Sequence, residues 1–297
     1  MAILLADISR KISDLDNIPT VPALLVPLLR RLGEPAEKVS VAEIVTLISY
    51  DKSLTAQCLH MANSPLLGMR NRVETVQGAV MALGMTKVRE VATTCCLLRA
   101  LPARRGSLQP NDLWKHSLAC AMVSREFARK VGFADPEQAY LAGLLHDLGL
   151  IVELTTFPKE FEAATHVAIA KRCPIHEAER LVLGVNHCVI GEMLAERWHL
   201  PSEMKEVIRH HHDVDHASTA AVLVSIVSLT DILCRMRGLG YGFEEVRQVD
   251  LSSEYAWKHI GEGLPKMRDF DLARFTLEID AYIEEVERLV TTLFDLA

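Results

Sequence analysis

Several of the twelve histidines in this 297-residue chain fall where helical periodicity calls for an apolar residue. After Asn111, the positions Leu113, His116, Cys120, Val123 and Phe127 recur at spacings of three and four, which puts them on one helix face. The run from Tyr140 to Ile151 is apolar nearly all round and reads as buried, yet it carries His146 and Asp147. An unpaired buried carboxylate costs several kcal/mol, and no Lys or Arg lies near Asp147 in sequence. A third face holds His187, Gly191, Leu194 and Trp198. A fourth holds Met204, Val207, Ile208 and His211, with His212 beside them, and a fifth holds Val224, Val227, Asp231 and Cys234.

Taken singly, each of these residues also reads as a hydrogen-bonded core residue, a helix cap or a solvated side chain. Taken together, they would each need a private buried partner. One shared ion accounts for all of them more economically. The expected metal ligands are therefore His116, His146, Asp147, His187, His211, His212 and Asp231. Imidazole nitrogens with carboxylate oxygens suit a divalent transition metal (Fe, Mn, Zn or Co) better than Ca or Mg. Carboxylates can bridge two ions, so a dinuclear centre is open. Were such a centre hydrolytic, Asp147 would be the candidate catalytic residue. The remaining histidines have no consistent inward register. His176-Glu177 is followed by Arg180, so it does not form a zinc-protease motif. The sequence has no C-x-x-C, no G-x-S-x-G elbow and no phosphate P-loop. Gly238-Leu-Gly240-Tyr-Gly242 follows a helix rather than a strand and reads as a flexible connector. Arg70, Arg72, Arg99, Arg104 and Arg105 read as a solvated basic face.

The elements that must position these residues read as helices almost throughout. Predicted helices cover 18–32, 41–50, 52–62, 73–83 and 85–101, with Ser40 and Glu43 as a capping box. The loop 103–110 separates two helical lobes. In the second lobe, Asn111 or Asp112 caps a helix running to Lys130, and Asp135-Pro136 starts one that runs to about Leu150. Further helices cover 174–183, 186–198, 201–212 and 217–237, and 277–294 is amphipathic. The expected division is 1–107, 108–240 and 241–297: an N-terminal lobe, the lobe with the metal site, and a helical extension.

Composition narrows the function classes. The formal charge is −7 and the pI is near 6.0, which disfavours nucleic acid as a partner, since phosphate attraction needs a basic face. No apolar stretch reaches a bilayer span, so no membrane is expected. The start MAILLADISRK lacks a signal-peptide n-region. Seven scattered cysteines fit reduced thiols in a cytoplasmic location.

Several short motifs occur in order. They are Ile18-Pro19-x-Val21-Pro22, Asp51-x-Ser53-Leu54-Thr55, Ala62-Asn63-Ser64, Trp114-x-His116-Ser117, Gly143-Leu-Leu-His146-Asp147-x-Gly149, Glu179 to His187-x-x-x-Gly191, and Ile208 to His211-His212. This series resembles the HDOD family, a branch of the HD phosphohydrolase superfamily, over about residues 15–240. The resemblance implies an all-α, two-lobed fold and a bacterial signalling role. The sequence shows no receiver or other sensor domain, so signalling proteins acting in trans are the expected partners, and the amphipathic C-terminal helix leaves a homo-oligomer open. The ligand pattern of the related HD-GYP phosphodiesterases falls on the same seven residues, and Asp112 lies near an extra ligand of that group. Two departures weaken the alternative of a metal-dependent phosphohydrolase acting on a nucleotide or cyclic dinucleotide. Leu150 stands where those enzymes carry Lys, and Asp213 and Asp215 replace a G-Y-P segment.

Overall fold

The computed structural model describes residues 40–49, 72–84, 110–241 and 254–294, with isolated positions at 8, 55, 56, 58, 59, 62, 63, 88, 92 and 93. The helices expected over 18–32, 52–62 and 85–101, and four of the five basic-face arginines, fall largely or wholly outside these residues. The described residues form α-helices and short 3-10 turns, with no strand among them. The all-α expectation holds. No single described helix is long and apolar enough to cross a membrane.

The chain divides into two units: Met1–Asn17 with Pro102–Glu287, and Ile18–Leu101 with Arg288–Ala297. In the second of these, α1 (Val41–Ser49) packs on α2 (Val76–Leu83) through buried Ile44, Ile48, Val76 and Ala79. Thr75 caps α2 by accepting from the Gly78 amide. The Asn63 side chain holds the Val73 backbone at both its N–H (2.7 Å) and its carbonyl (2.8 Å).

The larger unit carries the chemistry. Helix α3 (Pro110–Val131) begins at the proline, so Asn111 and Asp112 lie inside its first turn rather than capping it. Asp135 caps α4 (Pro136–Leu145), accepting from the Glu137 and Gln138 amides as its sequence position predicts. The single helix expected to run to Leu150 is broken. Helix α4 stops at Leu145, and α5 (Leu148–Thr156) starts after His146-Asp147. Adjacent residues of an unbroken helix point about 100° apart, so the break lets both side chains face one point. Helix α6 (Pro158–Lys171) is an element additional to the helices expected from the sequence. Helices α7 (Ile175–Leu183), α8 (His187–Arg197, capped by Asn186) and α9 (Ser202–His210) follow the expected bounds closely.

Helix α10 (Ala221–Met236) starts four residues later than expected, after a 3-10 turn at Val214–His216. The Glu206 carboxylate explains the late start. It accepts from the Ser218 and Ala220 amides and the Thr219 hydroxyl, holding 218–220 outside the helix. Burial would raise this carboxyl, but those bonds lower it below the glutamate range. A depressed acid stabilises the fold above its unfolded pKa and loses that contribution as pH falls through the folded value. The stability advantage of wild type over Glu206→Gln is therefore expected to shrink below about pH 4. Urea unfolding of both proteins across acid pH measures it. Helix α11 (Tyr255–Gly263) packs on α10, and α12 (Leu272–Phe294) brings Phe275 against Phe127 of α3.

Helix crossings here are close. At Gly149 an added Cβ would lie 1.9 Å from the His187 carbonyl oxygen, and at Gly191 3.0 Å from the Gly149 nitrogen. These two glycines let α5 and α8 touch backbone to backbone, which brings His187 toward the break that holds His146 and Asp147.

Candidate metal centre

The seven expected ligands converge. His116, His146, His187 and His211 are fully buried, as are Asp147 and Asp231, and His212 lies at the edge with a side chain 9% exposed. The unused face of each buried imidazole is fixed by a bond from its Nδ1. His116 Nδ1 meets the Leu239 carbonyl at 2.6 Å, and His146 Nδ1 meets the Gly143 carbonyl at 2.8 Å. His211 Nδ1 meets the Ile208 carbonyl at 3.1 Å, and His187 Nδ1 meets the Glu179 carboxylate at 2.8 Å. A carbonyl can only accept, so Nδ1 carries the proton, and in the neutral ring Nε2 keeps a lone pair. Tethered Nδ1 atoms of this kind orient metal-binding imidazoles.

The four Nε2 atoms surround Asp147. His146 and His116 lie 3.0 and 3.5 Å from its Oδ2, and His187 and His211 lie 3.4 and 3.5 Å from its Oδ1. Each carboxylate oxygen thus faces one pair of histidines. Asp231 joins the first pair, with Oδ1 3.1 Å from His116 Nε2. His212 joins the second pair, forming with His187, His211 and Cys188 a group whose ligand atoms all lie within 4.8 Å of one another. Asp112 is in neither group of close ligand atoms.

This arrangement fits a cation. His146 Nε2, His212 Nε2 and Asp147 Oδ1 are buried atoms without a hydrogen-bond partner. Lone pairs aimed at one another and at a carboxylate are stable only if protons or a metal ion sit between them. Burial would raise Asp147, but His146, His211 and His187 outweigh it and hold the carboxyl well below the usual range. Burial lowers His146 and His212. It also works against the charge on His211, but Cys188 and Asp147 prevail and push that imidazole up to about 10. Already at neutral pH, therefore, a proton competes with a metal for the His211 lone pair.

Four residues outside the expected set complete the centre. Glu179 orients His187. It lies on the apolar stripe of Ile175, Ala178 and Leu183, the same signal that marks His116. Arg235 holds Asp231 through both carboxylate oxygens. His176, which has no inward register in the sequence, stacks on His212 with ring centroids 4.3 Å apart. Tyr241 donates its hydroxyl to Asp147 Oδ2 at 2.5 Å. The described part of the glycine-rich segment is thus no loose connector: it places Leu239 on His116 and Tyr241 on Asp147. Nothing in the sequence marks Tyr241, because its role depends on the fold of the turn after Gly238, whose φ is +80°. Tyr241→Phe is expected to cost about 1.5–3 kcal/mol, the worth of a hydrogen bond to a charged group, as read by urea unfolding.

An all-helical unit with a His–Asp pair at a helix break, and further histidines converging from neighbouring helices, defines the HD class of proteins. The HDOD domain family matches residues 18–214, and the chain belongs to that family. Its fold is similar to that of an HDOD domain protein of unknown function from Geobacter sulfurreducens, with 32% identity, 97% of both chains covered and a TM-score of 0.82. It is also 28% identical over 243 residues to an uncharacterized protein of Treponema pallidum (strain Nichols), covering 80% of this chain and 46% of that protein. Ribonuclease Y of Thermus thermophilus is 34% identical over 122 residues, covering 41% of this chain and 16% of that protein. The chain spans less than half the length of these curated relatives.

Proposed function

We propose that this chain is a signal-transduction module of the HDOD type that acts through protein partners, with a buried divalent metal centre that fixes the shape of its larger unit. The carrying observation is enclosure. The four histidines at the centre are 0% exposed, Asp147 is 2% and Asp231 1%, and Tyr241 covers Asp147 Oδ2. Arg235, the guanidinium at the site, is held by Asp231, and Leu150 is apolar and buried. The centre is thus better built to hold an ion than to admit a phosphodiester.

His116, His146 and Asp231 would hold one ion and His187, His211 and His212 a second, with Asp147 between them. A metal there would supply charge compensation and, in a hydrolase, activation of water. The second reading, a metal-dependent phosphohydrolase, is favoured by the way Asp147 presents one oxygen to each histidine pair. Turnover decides between them. Protein loaded with zinc, manganese or iron is expected to resist unfolding by about 2.7 kcal/mol more at a hundredfold excess over Kd, and to leave RNA, cyclic dinucleotides and chromogenic phosphodiesters intact. Robust hydrolysis that disappears in Asp147→Ala would replace the regulatory reading with the enzymatic one. Cross-linking in the source cell is expected to capture protein partners with wild type and lose them with Asp147→Ala.

A further inference from the structure

The two halves of the centre differ in their ligand atoms. The half built on His116 and His146 has its own carboxylate, Asp231, besides its share of Asp147. The half built on His187, His211 and His212 has three imidazoles that face Asp147 Oδ1, with Asp231 Oδ2 3.8 Å from His212 Nδ1 and Glu179 behind His187. Three neutral imidazoles leave the fourth position of a tetrahedral ion to an anion or to water. A residue next to one of the ligands can fill that position. Cys188, in the first turn of α8, is 2% exposed, and its Sγ lies 3.9 Å from His211 Nε2. Its sulfur belongs to the group of four ligand atoms that includes His187, His211 and His212. Two further observations point to an ion at this spot: His212 Nε2 and Asp147 Oδ1 are buried there without hydrogen-bond partners.

We infer that Cys188 is a thiolate ligand of the second half-site, which adds a sulfur to three nitrogens and the shared Asp147 oxygen and suits zinc and other borderline-soft ions. On binding, the thiol loses its proton to solvent and the sulfur lone pair goes to the metal. Cys120, 3.5 Å from His116 Nε2, belongs to the matching group of the other half, but there the Asp231 carboxylate is the fourth member and fills the position that Cys188 fills here. The two halves therefore differ in softness, and soft and hard ions are expected to sort between them.

This inference rests on the metal-centre reading above, and X-ray absorption on zinc-loaded protein separates the two. Wild type is expected to show a sulfur scatterer at about 2.3 Å beside nitrogen and oxygen at about 2.0–2.1 Å. Cys188→Ser is expected to lose the sulfur shell and keep the lighter one, whereas Cys120→Ser keeps both. Zinc bound by nitrogen and oxygen alone in wild type would overturn the thiolate assignment and leave the metal centre standing, as would a sulfur shell that survives in Cys188→Ser. Failure of wild type to retain zinc, manganese or iron would overturn the metal centre itself. The wild-type spectrum decides the matter even if the variant does not fold.

Discussion

Asp147→Asn is expected to purify without stoichiometric divalent metal and to be less stable than wild type by about 3–5 kcal/mol, the usual cost of removing one partner from a buried charged cluster. The substitution keeps the shape of the side chain and removes its charge. Four imidazole Nε2 atoms lie 3.0–3.5 Å from the two oxygens of this carboxylate. Neutralising it removes the anion common to both half-sites and leaves His187 and His211 without the charge they face. Elemental analysis measures the first effect and urea unfolding the second. A variant with wild-type metal content would show that Asp147 is not the shared ligand.

The second large effect comes from a residue with no chemistry. Gly149→Ala is expected to destabilise the protein by about 3 kcal/mol or more, at the upper end of overpacking costs, and to lower its metal content. The new methyl would meet the His187 carbonyl oxygen at 1.9 Å and the Gly191 nitrogen at 2.9 Å. Both are backbone atoms, which no rotamer change can move aside. Relief requires α5 and α8 to separate, and His187 moves with α8. Gly261→Ala is the control. An added Cβ at Gly261, inside α11, meets nothing within 4 Å, so alanine there is expected to be neutral or to stabilise by up to about 1 kcal/mol. Equal losses at the two sites would mean that the α5–α8 contact is not as tight as the geometry states.

Much of this protein was legible in one dimension because its signals are periodic. His116 and Asp231 announce themselves by standing on apolar helical stripes, and a buried polar group must be compensated wherever the chain takes it. Helix ends were legible where the cap is local, as at Asp135, Asn186 and Gly184. What the tertiary structure alone decided is non-local. The break at His146-Asp147 interrupts a run whose composition reads as one continuous helix. Glu206 shortens α10 from another helix, twelve to fourteen residues away in sequence. Tyr241 reaches Asp147 across ninety-four residues, and Leu239 reaches His116 across 123. Periodicity reports which face of a helix is buried, but not which other face it meets. The pairing of each Asp147 oxygen with its own two histidines was therefore settled by packing, through backbones that approach closely only where glycine permits.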